Sequence, residues 1–144
     1  MGVGGPDGWI ILTELRIKFA SSAATLVPDL AGWRKERLPV LPTTATFTLR
    51  PDWVCEILSR STASHDRFRK MPIYAREGVT WVWLIDPMER SLEVRRLGPD
   101  GKWVIETTAD GSLTVRAPPF EELEFSLDLL WAGQSAEHHD QGDG

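Results

Sequence analysis

The sequence predicts an α+β fold on a mixed sheet, an α/β arrangement that is not doubly wound, and three observations predict it. Strand-like runs precede and follow one helix-like stretch instead of alternating with helices. Two runs, Trp53 to Leu58 and Val79 to Ile85, are apolar on both alternating faces, as central strands covered on both sides are. Further strand-like runs flank Gly98-Pro99-Asp100-Gly101, a hairpin signal.

The elements follow in order. Gly4-Gly5-Pro6-Asp7-Gly8 is a turn-forming opening. From Trp9 to Phe19 the chain alternates, with Trp9, Ile11, Leu15, Ile17 and Phe19 on one parity and Glu14, Arg16 and Lys18 on the other, which predicts a half-exposed strand. Thr25 to Leu30 is a second short strand, with Pro28 near an end or edge because it cannot donate to a ladder. Gly32 to Thr44, with Pro39, Pro42 and the charged run Arg34-Lys35-Glu36-Arg37, reads as a loop. Ser59 to Asp66 is rich in capping side chains, so a helix is expected from about Ser64 to Glu77, ended by Gly78 and kinked or restarted at Pro72. Val79 to Ile85 stops at Asp86-Pro87. Ser91 to Leu97 and Lys102 to Thr107 form the hairpin, Asp110-Gly111 turns into Leu113 to Arg116, and Phe125 to Trp131 reads as a short C-terminal helix. The expected organisation is one domain over residues 1–131 and a disordered acidic, Gly-rich tail over 132–144.

A chain of 144 residues suffices for one domain with a true core. Its single cysteine, Cys55, lies inside an apolar run and excludes an internal disulfide, which suits a reducing cytoplasm. No apolar run approaches the ~20 residues that cross a bilayer, so no membrane partner is expected, and the N-terminus lacks the pattern of a secretory signal. The net charge of −5 argues against a broad basic surface that binds nucleic acid by counterion release alone. It leaves a nuclease open, because clustered carboxylates lower the net charge and a bound cation restores it locally.

The chemistry centres on Glu56, a carboxylate inside the apolar run Trp53-Val54-Cys55-Glu56-Ile57-Leu58. Such a group is costly to bury unless a metal or a lysine compensates it. Asp52 is no co-ligand: four residues along a strand span ~13 Å, so Asp52 reads as a strand-opening residue. A partner must come from a neighbouring strand, and Asp29 is the best candidate, with a simple turn cap as its alternative role. Two acids suffice for Mg²⁺, which commonly takes one or two carboxylates and keeps several waters. Glu14 is a candidate third ligand, or a solvated residue beside Arg16 and Lys18. Asp66, Lys70 and Tyr74 recur at helical spacing. Lys70 either pairs with Asp66 on a wet face or reaches over the sheet, to neutralise Glu56 or to position a water. Arg34, Ser59 and Arg67 are candidates for substrate contact. His138-His139 lack zinc-ligand spacing, and no Gly-x-Ser-x-Gly elbow surrounds Ser59 or Ser61.

At these residues the chain resembles a known family. Pro51-Asp52-Trp53-Val54-Cys55-Glu56-Ile57-Leu58-Ser59, followed by Ser61-Thr62, Asp66, Lys70, Tyr74, Gly78-Val79 and Trp83-Leu84-Ile85-Asp86-Pro87, is similar to the Uma-type bacterial restriction endonuclease domain of the PD-(D/E)XK superfamily. Val27-Pro28-Asp29-Leu30-Ala31-Gly32-Trp33-Arg34 matches one branch of it. The resemblance implies a restriction-endonuclease-like mixed sheet flanked by helices and an endonuclease that cleaves phosphodiester bonds with Mg²⁺ or Mn²⁺. Asp29 matches the first acid and Glu56 the second. The lysine expected two residues later is replaced by Leu58, and Lys70 stands in for it. Nucleic acid, DNA before RNA, is the implied partner, and a homodimer is allowed. Family members carry an N-terminal helical segment before the equivalent of Trp9, so the resemblance also implies an N-terminally truncated domain. A non-catalytic binding or accessory module on the same fold is the alternative.

Overall fold

The computed structural model of the chain describes residues 8–19, 21, 24–37, 46–59, 63–111 and 114–129, the side chains of 63–68 excepted. Its strands are β1 (Trp9–Thr13), β2 (Arg16–Lys18), β3 (Thr25–Leu26), β4 (Leu30–Arg34), β5 (Thr46–Phe47), β6 (Trp53–Ile57), β7 (Trp81–Asp86), β8 (Ser91–Leu97), β9 (Trp103–Asp110), β10 (Thr114–Val115) and β11 (Phe125–Ser126). One α-helix, α1 (Ala63–Glu77), joins β6 to β7, and a 3-10 turn covers Lys35–Arg37.

Six strands form the main sheet in the order β1-β4-β6-β7-β8-β9. Only β6 and β7 run parallel within it, because α1 carries the chain back between them; every other neighbour is antiparallel. Strands β3, β2 and β5 make a small second sheet, and β10 pairs with β11. The fold is α+β with mixed sheets and one helix among the described residues. No helix among them is long and apolar enough to cross a membrane.

Alternation along the central strands divides the core in two. Val54, Leu58, Val82 and Leu84 face α1 and the small sheet, joining Met71, Tyr74, Phe19 and Trp33. Trp53, Cys55, Trp83 and Ile85 face the other way, onto Trp9, Ala117, Phe120 and Leu127. That second cluster is aromatic: Phe120 meets Trp9, Trp53 and Trp83 edge-on at centroid distances of 5.0, 5.0 and 5.5 Å.

Several expectations are corrected. The run from Trp9 to Phe19 is two strands in two sheets, broken where Glu14 takes a positive φ of 49°. The break changes the face the chain presents, so Leu12 is buried with Leu15 and Ile17, while Trp9 enters the opposite cluster. Thr25 to Leu30 is likewise split, since Pro28 and Asp29 separate β3 from β4. The expected loop from Gly32 begins as strand: β4 runs to Arg34, and fully buried Trp33 donates its indole N–H to Leu49 O at 3.1 Å. Gly32 belongs in that strand because a Cβ there would stand 3.0 Å from Trp53 Cε3. Pro72 lies inside α1 without dividing it, for Met71 and Tyr74 on either side are both buried in the core. At the C-terminal end, Phe125 and Ser126 are strand, paired with Val115 and Thr114, where the expected helix would begin; Asp128 and Leu129 are helical, and residues 130 and 131 lie outside the described residues. The tail over 132–144 lies outside the described residues.

Candidate metal and catalytic centre

Glu56 is the one buried charged residue among those described, 6% exposed, and it points to the α1 face. Strand β6 puts it there because Val54 and Leu58, two residues to either side, bury on that face. Two side chains one helical turn apart on α1 meet it. Lys70 Nζ donates to Oε1 at 3.1 Å, and Tyr74 Oη donates to Oε2 at 2.5 Å. Both oxygens of a carboxylate that water hardly reaches are therefore engaged. Burial pushes the proton affinity of Glu56 up, against the pull of Tyr74 and Lys70, and the neighbouring Asp29 charge adds to the rise. Burial, and then the Glu56 charge, holds the Tyr74 hydroxyl protonated far above its ordinary range.

Asp29, the residue just before β4, approaches Glu56. The antiparallel register pairs Leu30 with Cys55, so one step further sets Asp29 opposite Glu56 on the α1 face. The Asp29 charge is near enough to act on Glu56. Asp29 Oδ2 accepts the Ile57 N–H at 2.6 Å, replacing a ladder bond with a side-chain bond, and the Glu14 N–H holds Asp29 O at 3.1 Å. Leu58, where the family pattern expects a lysine, is buried on the same face as Glu56, and the amine comes from α1 instead.

The structure thus joins Lys70 and Tyr74 to Glu56 and ties Asp29 to the neighbouring residue Ile57. It does not bring in Glu14 or Arg34. Glu14 contributes its main chain, and no three His, Cys, Asp or Glu residues among those described gather as a metal-binding set. Arg34 ends β4 at the far side from Asp29, its guanidinium 4.6 Å above the Trp9 ring and its N–H on Asp52 Oδ2. Asp52 is structural, since its Oδ1 takes Arg37 Nη1 at 2.6 Å. Ser59 is exposed just beyond β6, and the side chain of Arg67 lies outside the described residues. The residue left without a role in the sequence is Tyr74. Its helical spacing from Lys70 was the available signal, but that it meets Glu56 depends on how α1 docks across the sheet.

A hard, all-oxygen pair of carboxylates on adjacent strands suits Mg²⁺ or Mn²⁺. An amine beside it has the chemistry to hold a water or a phosphate oxygen. The fold has a counterpart in a crystal structure described as "a putative nuclease belonging to DUF820" from Anabaena variabilis ATCC 29413, with 27% sequence identity, a TM-score of 0.66, and coverage of 87% of this chain and 69% of that one. No curated protein matches the sequence. Residues 4–129 match the family Uma2, described as "Putative restriction endonuclease". The match spans nearly the whole chain and includes the strands and helix that supply Asp29, Glu56 and Lys70, and the chain belongs to the Uma2 family.

Proposed function

We propose that this chain is a divalent-metal-dependent endonuclease, acting in the cytoplasm on phosphodiester bonds of nucleic acid, with DNA the expected substrate. One observation carries the proposal: a buried strand acid paired with a lysine of the following helix has a second acid, at the start of the neighbouring strand, bonded to the residue beside it. Asp29 and Glu56 would hold Mg²⁺ or Mn²⁺, which when bound supplies Lewis-acid activation and offsets charge at the phosphate. The bond from Ile57 N–H to Asp29 Oδ2 fixes the aspartate and leaves Oδ1 to act as a ligand. Lys70 commits one of its three N–H groups to Glu56 and retains two for an attacking water or a phosphate oxygen.

A second reading has its own support. Glu56 already has a cation and a hydroxyl on its two oxygens, as a purely structural buried pair would. On that reading the chain is a nuclease-fold binding or accessory module. The deciding experiment is cleavage of supercoiled DNA by wild type and by Glu56→Ala, with and without Mg²⁺ or Mn²⁺. Cleavage that needs the ion and disappears in the variant supports the endonuclease. Equal cleavage by both proteins overturns this site, and wild-type protein that neither cuts DNA nor binds the ion in calorimetry supports the accessory module.

A further inference from the structure

We propose that Tyr74 is the positioning residue of the centre: its hydroxyl sets the plane of the Glu56 carboxylate so that a divalent cation can be bound between Glu56 and Asp29. The proposal rests on the metal-dependent reading above. The terminal torsion of a glutamate is broad and roughly two-fold, so Lys70 alone, on one oxygen, leaves the carboxylate free to rock. The short bond from Tyr74 to the second oxygen removes that freedom. An ionised carboxylate has about four acceptor positions, and the two bonds seen here take one on each oxygen. A position therefore remains on each oxygen for a cation. Tyr74 is itself held still, being fully buried and packed edge-on against Phe19 at 6.3 Å. Outer-shell partners of this kind orient a metal-binding carboxylate without touching the metal.

Tyr74 is the only tyrosine in the sequence, which makes the proposal directly readable. Protein labelled with 13Cζ-tyrosine gives one ring resonance, and titration with Mg²⁺ is expected to shift it, because the ion competes for electron density on the carboxylate that Tyr74 donates to. Calorimetric titration with Mn²⁺ is expected to show about 10-fold weaker binding for Tyr74→Phe, the lower end of what loss of an outer-shell partner brings. Phe120→Leu, which disturbs the aromatic cluster on the opposite face of the sheet and leaves the surroundings of Tyr74 intact, should lower Tm and leave Mn²⁺ affinity unchanged. If Tyr74→Phe binds Mn²⁺ as wild type does, or if saturating Mg²⁺ leaves the tyrosine resonance in place, the positioning role is overturned while the metal site stands. Should Tyr74→Phe fail to fold, the wild-type resonance decides alone. Wild-type protein that binds neither ion overturns the metal-dependent reading and this one together.

Discussion

Two aspartates close the two ends of the β4–β6 ladder in the same way, and they differ in what surrounds them. Asp29, just before β4, accepts the N–H of Ile57 at the end of β6. Asp52, just before β6, accepts the N–H of Arg34 at the end of β4. Each replaces a ladder bond with a carboxylate. Asp52 then spends its other oxygen on Arg37, and that end of the pair is closed by a partly exposed salt bridge. Asp29 instead lies across from Glu56, beside the lysine and tyrosine of α1. A local motif repeated twice thus becomes a clamp at one end and a candidate ligand at the other. Tertiary neighbours decide which.

The sharpest way to break the contrast is to neutralise each acid in turn. Asp29→Asn should cost at least about 100-fold in metal-dependent cleavage, the upper end of what even an outer-shell loss brings. Asp52→Asn should cut DNA within a factor of about two of wild type, as its surroundings hold no reacting group. Comparable losses from both in a plasmid-cleavage assay would show that the two ends do not differ in function.

The second contrast is energetic. Lys70→Met leaves Glu56 buried without its cation, and urea unfolding should show a loss of about 3 kcal/mol. Combining it with Glu56→Gln should cost less than Lys70→Met alone, because the orphaned charge is gone. Additive losses would mean that the pair is not coupled. At the opposite end, Asp52→Ala should cost only about 1 kcal/mol, since its bonds are part-exposed.

The smallest effect is in pH. Glu56 holds its proton more tightly in the folded chain than when unfolded, chiefly through burial. Its protonated form therefore contributes stability that is full below the ordinary carboxylate range and is lost as pH rises through the higher folded value. Relative to Glu56→Gln, which does not titrate there, wild-type Tm should decline from about pH 4 towards neutrality. Parallel Tm curves for the two proteins would remove the linkage.

Much of this centre was legible from residue pattern. Glu56 stood out because its neighbours are apolar on both parities, and Lys70 and Tyr74 because they are one turn apart. Asp29 followed from the need for an acid on an adjacent strand. What could not be read was set by long-range packing. The strand break at Glu14 depends on a left-handed backbone at a residue with no glycine signal. Arg34 looks like a phosphate contact in a charged run, yet Trp9, far away in sequence, draws its guanidinium to the other face. Gly32 suggests a loop until Trp53 lies against it.

The spacing of the partners along the chain has a consequence for how the molecule folds. Glu56 lies 14 and 18 residues from Lys70 and Tyr74, whereas Asp29 must cross 28 residues to reach Ile57. Doubling a loop adds about 0.6 kcal/mol to its closure entropy, so the shorter excursions are favoured to close first. On that order the amine and hydroxyl would arrive before the second acid, with a compensating charge in place when the two carboxylates approach. A kinetic φ-value near one at Lys70 and near zero at Asp29 would be the record of that order; the reverse pattern would refute it.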